Sequence, residues 1–199
     1  MAQAIEEAIE DHTDLVVEAA TGTGKTLAYL IPLMRQTERA IISTGTLNLQ
    51  DQLFKRDLPV AMQALGVEKK VALLKGRSNY LCLHRLEANA DTDQAQRADV
   101  LDDFKRIEAW ARSTATGDIA ELDSVGADAP VWPLVTSTQD NCLGSECPLF
   151  SECHLVRARR QAQAADVVVV NHHLLFADLS LKQTGFGEVL PGAEVVVID

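Results

Sequence analysis

The chain has 199 residues, 47% hydrophobic and 24% charged, a size and composition typical of one globular domain with a small insertion. Its apolar runs are much shorter than the roughly 20 residues that span a membrane. The first residues lack the basic patch and apolar stretch of a secretory signal, so we expect a cytoplasmic protein without a membrane partner. The formal net charge of −11 argues at first against nucleic-acid binding. Most of the acidic excess, however, lies between Glu87 and Asp128, so whole-chain charge does not decide the question.

Short apolar and β-branched runs recur along the chain and predict strands buried on both faces of a parallel sheet. These runs are Leu15–Val17, Ala40–Ser43, Val71–Leu74, Val167–Val170 and Val195–Ile198. Helical patterns lie between them, at Thr26–Gln36, from Thr46 to about Phe54, and at Leu155–Ala165. The alternation predicts an α/β fold in which helices flank a parallel sheet.

The alternation stops after Leu74 and returns near Leu155, which predicts an insertion into the α/β lobe. Within this interval apolar residues recur at helical spacing and predict one packed amphipathic helix. They are Val100, Leu101, Phe104, Ile107, Trp110 and Ala111. The predicted domains are therefore 1–74 for the first part of the lobe, 75–155 for the insertion and 156–199 for the continuation of the lobe.

A glycine-rich segment, Glu18-Ala-Ala-Thr-Gly-Thr-Gly-Lys-Thr26, follows the first predicted strand and opens a helix. This order is expected of a phosphate-binding loop, although Ala19 stands where the motif usually has its first glycine. The glycines let backbone N–H groups turn toward a polyphosphate at the helix N-terminus. Lys25 would reach the β- and γ-phosphates of ATP, and Thr26 would hold Mg²⁺. The predicted nucleotide-binding residues are Thr21, Gly22, Thr23, Gly24, Lys25 and Thr26.

Asp199 closes the last predicted strand. In phosphate-loop ATPases an aspartate in this position binds the magnesium ion, whereas the plain alternative is a polar residue that ends a strand. Because the strand follows a phosphate loop, we assign Asp199 to the predicted catalytic set with Lys25 and Thr26.

The four cysteines are Cys82, Cys142, Cys147 and Cys153. Four thiolates hold zinc or an iron-sulfur cluster. Zinc sites commonly use pairs about two to four residues apart, whereas the gaps after Cys142 and Cys147 are four and five residues. The spacing favours a cluster and leaves zinc open. Disulfides are not expected in the cytosol.

Cations and an aromatic residue lie close to the cysteines in the sequence. Lys75 and Tyr80 precede Cys82, and three arginines follow Cys153. Such residues suit contacts with the phosphates and bases of a single strand. A solvated helix face accounts equally well for the three arginines.

Taken together, five segments resemble the iron-sulfur helicases of superfamily two that include the DinG/YoaA family and are similar to XPD. The resemblance covers nearly the whole chain. The segments are Val16 to Thr26, Ile42 to Leu47 with Leu49 to Leu53, Leu74 to Cys82, Cys142 to Pro148, and Val169 to Leu175.

The resemblance implies a RecA-like lobe that binds ATP and Mg²⁺ and carries a mainly helical iron-sulfur insertion. In it, the four cysteines hold a [4Fe-4S] cluster, Asp199 begins an Asp-Glu-Ala-His box, and the segment from Thr44 to Gln50 contacts single-stranded DNA. The implied activity is five-prime to three-prime unwinding of forked DNA in repair and replication. An accessory clamp-loader subunit of the replicative polymerase is an implied partner.

In the family, an adenine-recognition motif precedes the position of Met1. A water-positioning glutamate and a second motor lobe follow the position of Asp199. We therefore expect no helicase activity and little ATP hydrolysis from the 199-residue chain itself. Two other classes stay open: a phosphate-loop ATPase with a zinc-binding structural insertion, and a non-enzymatic module that binds single-stranded DNA or a partner.

Overall fold

The computed structural model describes residues 1–20, 22–184 and 189–199. Four strands are present in that part of the chain: β1 (Ala40–Thr44), β2 (Val71–Leu73), β3 (Val167–Asn171) and β4 (Val195–Ile198). Its α-helices are α1 (Ala2–Glu10), α2 (Lys25–Gln36), α3 (Leu47–Gln52), α4 (Leu58–Leu65), α5 (Leu83–Asn89), α6 (Leu101–Ala111), α7 (Trp132–Val135), α8 (His154–Gln163) and α9 (His172–Thr184). A π-helical turn, Leu53–Asp57, connects α3 to α4. Among these described elements, no helix is long and apolar enough to cross a bilayer.

The chain divides into two compact units, of which the first comprises residues 1–74 and 161–199. Its sheet has the order β2-β3-β1-β4, and every pair of neighbouring strands is parallel. The predicted α/β fold with a parallel sheet is confirmed, and four of the five predicted strands form. The carboxyl ends of all four strands therefore meet at one edge of the sheet, which is where ligands bind in open α/β sheets.

The core of the first unit lies between the sheet and helices α2 and α4. All five residues of β1 and the four valines of β3 are buried, as expected for central strands covered on both faces. Leu30 and Leu33 of α2 pack with Ile42 and Val169 in one cluster. In contrast, residues of the edge strand β4 alternate between half-buried and exposed.

The strand predicted at Leu15–Val17 does not form. The side chain of Val16 is 97% exposed, and Leu15 and Val17 line a cavity that β4 also lines. A β-branched run becomes a strand only when a neighbouring strand satisfies its N–H and C=O groups. The segment pairs with none of the four described strands, so local composition gave the wrong prediction here.

The second unit comprises residues 75–160 and has its own apolar core. The predicted amphipathic helix is α6, whose Phe104 and Ile107 are buried, and this prediction is confirmed. Phe104 and Ile107 belong to one cluster with Val131, Trp132 and Val135. The Trp132 indole also donates to the carbonyl of Gly126 at 2.8 Å.

A buried ion pair holds the first residues of the second unit. Nζ of Lys75 lies 2.6 Å from Oδ2 of Asp118, and the two side chains are 1% and 8% exposed. The hydroxyl of Tyr80, which is itself buried, accepts from the backbone N–H of Lys75 at 3.1 Å. Neither Lys75 nor Tyr80 is placed to contact a DNA strand, so the suggested phosphate and base contacts are wrong for these two residues.

Candidate functional site

The loop before α2 has the backbone conformation that an anion-binding loop needs. Gly22 and Gly24 have φ angles of +78° and +82°, in the left-handed region that glycine adopts without strain. Gly24 caps a helix of 12 residues, and the Thr23 hydroxyl donates to the carbonyl of Ala20 at 2.8 Å. Thr21, also predicted to bind nucleotide, lies outside the described residues.

The side chain of Lys25 stays inside the loop. Its ammonium group donates to the carbonyl of Ala19 at 3.1 Å and is partly buried. A phosphate oxygen is a stronger acceptor for an ammonium group than a neutral carbonyl. The loop therefore keeps Lys25 close to where a polyphosphate would lie.

Asp199 and the phosphate-loop helix are joined through Tyr29, a contact that the sequence did not predict. The Tyr29 hydroxyl donates to Oδ2 of Asp199 at 3.0 Å, and Tyr29 lies one turn after Thr26 on α2. The backbone N–H of Asp199 donates to the carbonyl of Ser43 on β1 at 2.9 Å. The structure thus connects two predicted magnesium ligands, Thr26 and Asp199, through one phenol.

A cavity of about 640 Å³ opens beside these residues. Lys25, Tyr29 and Asp199 line it, together with α1, the segment around Val17 and strand β4. The volume lies within the roughly 300–1,000 Å³ of small-molecule sites. Its charged lining consists of the ammonium group of Lys25 and the carboxylates of Asp14, Glu18, Glu194 and Asp199, and its apolar walls come from α1 and β4.

The segment implied to contact DNA is exposed only in its middle. Residues 45–49 are exposed, whereas Thr44 and Gln50 are buried. Nε2 of Gln50 donates to the carbonyls of Leu74 and Val169 at 2.8 and 3.1 Å, which fixes this residue to the sheet. The surface open to a nucleic acid is therefore the loop and first helical turn at 45–49.

The same edge carries a histidine that sequence reasoning did not single out. Nδ1 of His172 lies 2.7 Å from the hydroxyl of the buried Ser43. A Cβ placed on Gly45 would be 3.8 Å from Nε2 of His172. His172 thus lies against the start of the exposed loop 45–49. The pair of histidines after the fourth predicted strand was the one available signal.

The four cysteines all belong to the second unit and are half-buried, without disulfides among the described residues. The pKa of Cys82 is raised, first by burial and then by the charges of Cys153, Cys142 and Cys147. Cys82 is therefore within electrostatic range of the other three thiols. In the part of the chain that is described, however, no three His, Cys, Asp or Glu side chains are close enough to hold one metal ion.

Short pairings fix the backbone at Cys82. The N–H of Leu81 donates to the carbonyl of Gly117, and that of Cys82 donates to the carbonyl of Val135, both at 2.8 Å. His154, next to Cys153, is 4% exposed and packs against Gly117. Burial lowers the pKa of this imidazole.

The arginines after Cys153 have different surroundings. Arg157 is exposed and donates to the carbonyl of Ala115 at 2.7 Å. The pKa of Arg159 is lowered, mainly by burial and then by the charge of Arg77, while Cys142 and Cys153 oppose this shift. Arg159 therefore lies near the thiols, and Arg157 secures a loop of the same unit.

A glycine-rich loop before a helix and a carboxylate at the end of a parallel strand are features expected of a phosphate-loop nucleotide-binding lobe. The model of the DEAD/DEAH box helicase family matches residues 2–112. The chain belongs to this family.

Comparison with curated proteins finds relatives along the whole chain. The chain is 53% identical over 199 residues to the ATP-dependent DNA helicase YoaA of Escherichia coli strain K12 and 50% identical to YoaA of Haemophilus influenzae. It is 39% identical over 221 aligned residues to the ATP-dependent helicase DinG of Mycobacterium tuberculosis. All of the chain is covered in each case, but only 31% to 32% of the relatives' length. The chain thus spans about a third of the relatives it matches.

Proposed function

We propose that this chain is the nucleotide-binding part of an ATP-dependent DNA helicase of the DinG/YoaA type, with five-prime to three-prime polarity. The observation that carries the proposal is the position of Lys25, Tyr29 and Asp199 around one cavity at the carboxyl edge of the sheet. The relatives, which are named ATP-dependent helicases, support it.

In this proposal, the phosphate loop and the end of β4 share the binding of ATP and its metal ion. The N–H groups of the loop at Gly22 and Gly24 and the ammonium group of Lys25 bind the phosphates of ATP. Thr26 and Asp199 would hold a magnesium ion, whose positive charge would stabilise the phosphates of ATP.

Single-stranded and forked DNA are the proposed substrates. The exposed segment 45–49 follows β1 directly, and β1 is hydrogen-bonded to β4, whose end carries Asp199. A shift of Asp199 on nucleotide binding would therefore be transmitted to this segment through one β-strand, β1. An accessory clamp-loader subunit remains a proposed partner on the basis of the family resemblance.

The four cysteines are proposed to hold a [4Fe-4S] cluster. The electrostatic interaction of Cys82 with the other three thiols and the cation Arg159 suit a shared anionic group. The gaps of four and five residues after Cys142 and Cys147 are wider than those common in zinc sites. A cluster in which each thiolate binds a different iron tolerates wider spacing. Bound there, it would brace the insertion and supply redox chemistry.

Nucleotide binding by the chain tests the first part of the proposal. A fluorescent ATP analogue should bind the chain in the presence of magnesium, and Lys25→Ala should weaken binding strongly. Lys55→Ala is the matched control, because Lys55 is an exposed lysine paired only with a neighbouring aspartate on its own helical segment. Equal affinities of the wild type and Lys25→Ala would refute the proposed site.

Single-strand binding tests the second part. A labelled oligonucleotide should bind the chain, with an affinity that changes when the ATP analogue is added. Tight DNA binding whose affinity is the same with and without the ATP analogue would favour the non-enzymatic binding module instead.

A further inference from the structure

Tyr29 is a buried phenol in the wall of the nucleotide cavity, and neither the loop motif nor the proposed function gives it a role. Its side chain is 5% exposed, and the ring belongs to the core cluster between the sheet and α2. The hydroxyl, its only polar side-chain group, donates to Oδ2 of Asp199 at 3.0 Å. The ring is thus anchored in the core while its hydroxyl reaches the site.

The direction of this hydrogen bond follows from the chemistry of the two groups. An ionised carboxylate only accepts, so the Tyr29 hydroxyl is the donor to Oδ2 of Asp199. Burial, and then the negative charge of Asp199, raise the pKa of Tyr29.

The backbone and the side chain of Asp199 are fixed by different partners. The N–H of Asp199 is bound by the carbonyl of Ser43 at 2.9 Å, which sets the position of its Cα. Without a further bond, the exposed carboxylate would sample several rotamers. The bond from Tyr29 selects one rotamer through Oδ2. Carboxylates that bind metals are commonly oriented by such an outer hydrogen bond.

We propose that Tyr29 is a positioning residue for magnesium, which holds the Asp199 carboxylate through Oδ2 and leaves Oδ1 for the ion. The inference rests on the proposed function of the cavity. It adds Tyr29 to the site, as the residue that connects the end of β4 to α2, the helix that follows the phosphate loop. Because Tyr29 is rooted in the same helix as Thr26, it holds both predicted magnesium ligands in one arrangement.

The test compares the affinity for a fluorescent ATP analogue in excess magnesium with that in EDTA. The variants are Tyr29→Phe, Asp199→Asn and the double variant. Tyr80→Phe is the control, because Tyr80 is equally buried, its hydroxyl accepts from a backbone N–H, and it lies in the other unit. Thermal unfolding of each variant shows whether the fold is retained.

Tyr29→Phe should reduce the magnesium-dependent gain in affinity about tenfold, the lower end of the effect of outer-shell partners. Affinity in EDTA and the unfolding midpoint should stay close to wild type. The double variant should bind the analogue in magnesium no more weakly than Asp199→Asn does. Once the Asp199 carboxylate is removed, Tyr29 has no metal ligand left to position. Tyr80→Phe should keep the full gain.

Four results would overturn the inference. Equal losses with and without magnesium would make Tyr29 a packing residue, and additive losses in the double variant would separate it from Asp199. If the wild type gains affinity from magnesium and Tyr29→Phe gains as much, this inference alone fails. A wild type without any magnesium-dependent gain would refute the proposed function and this inference together.

Discussion

The hydroxyl of Ser43 and Nδ1 of His172 share a hydrogen bond of 2.7 Å. It joins the carboxyl end of β1 to the start of α9, which directly follows β3. The same Ser43 accepts from the N–H of Asp199 through its carbonyl. One residue of the central strand thus contacts both the strand end that carries the proposed magnesium ligand and the histidine beside the exposed loop 45–49.

Ser43→Ala should lower the free energy of unfolding by about 1–2 kcal/mol, because Nδ1 of His172 loses its partner. The affinity for a single-stranded oligonucleotide should fall several-fold, because Gly45 at the start of the loop lies against this histidine. Urea denaturation followed by circular dichroism and fluorescence anisotropy measure the two effects.

Ser180→Ala is the control for this variant. The Ser180 hydroxyl is exposed and donates to the carbonyl of Phe176 one turn earlier, so the change should stay within about 0.5 kcal/mol of wild type. A Ser43→Ala chain as stable as the control would contradict the role assigned to the pair.

Lys75→Met should destabilise the second unit by about 3–5 kcal/mol, because it leaves the Asp118 carboxylate buried without its counter-charge. Both tryptophans, Trp110 and Trp132, lie in this unit. Tryptophan fluorescence during urea denaturation therefore reports on it directly.

An exposed ion pair in the same unit provides the comparison. Nη2 of Arg97 lies 2.8 Å from Oδ2 of Asp99, and the two side chains are 63% and 54% exposed. Arg97→Gln should change stability by less than about 1 kcal/mol. Similar effects of the two variants would mean that the Lys75 pair is not buried in solution.

Gly117→Ala should also destabilise the second unit, by about 2–4 kcal/mol. The φ angle of Gly117 is +67°, and an added Cβ would overlap the His154 ring and come within 2.8 Å of the His154 Cβ. Gly126→Ala, in the same unit, meets no atom within 4 Å and should leave the fluorescence transition in place. A Gly117→Ala transition that coincides with that of Gly126→Ala would show that the close packing is absent.

The cysteine proposal predicts the metal content of the chain. After anaerobic purification we expect about four irons and four acid-labile sulfides per chain, with the broad visible absorbance of thiolate-bound iron. The Cys147→Ser variant should lose the iron and the sulfide. The Ser151→Ala variant, whose altered residue lies between Cys147 and Cys153, should keep both. One zinc without sulfide after iron-replete expression would replace the cluster with a structural zinc site.

The sequence predicted correctly those elements whose formation depends on residues close together in the chain. The four consecutive valines of β3 indicate a strand covered on both faces, and the glycines before Lys25 indicate a phosphate loop. Leu15–Val17 has a similar apolar pattern but no neighbouring strand to pair with among the described residues. Strand formation depends on that neighbour, and local composition does not reveal it.

The contacts that organise the site are not predictable from local sequence. Tyr29 and Asp199 are separated by 170 positions, and only the order of the sheet brings them together. Lys75 was predicted to contact phosphates because it lies, with Tyr80, close to Cys82 in the sequence. Its pairing with Asp118 becomes visible only when the insertion is folded.

The central claim is the proposal that this chain is the nucleotide-binding part of an ATP-dependent DNA helicase, and a chimera tests it most directly. The segment would replace the corresponding third of the Escherichia coli relative, and unwinding of a forked duplex would be followed by the release of a labelled strand. We predict ATP-dependent unwinding by the chimera, its retention in Lys55→Ala and its loss in Lys25→Ala. A chimera that binds ATP and DNA but does not unwind, or a Lys25→Ala chimera that unwinds at the wild-type rate, would contradict the account.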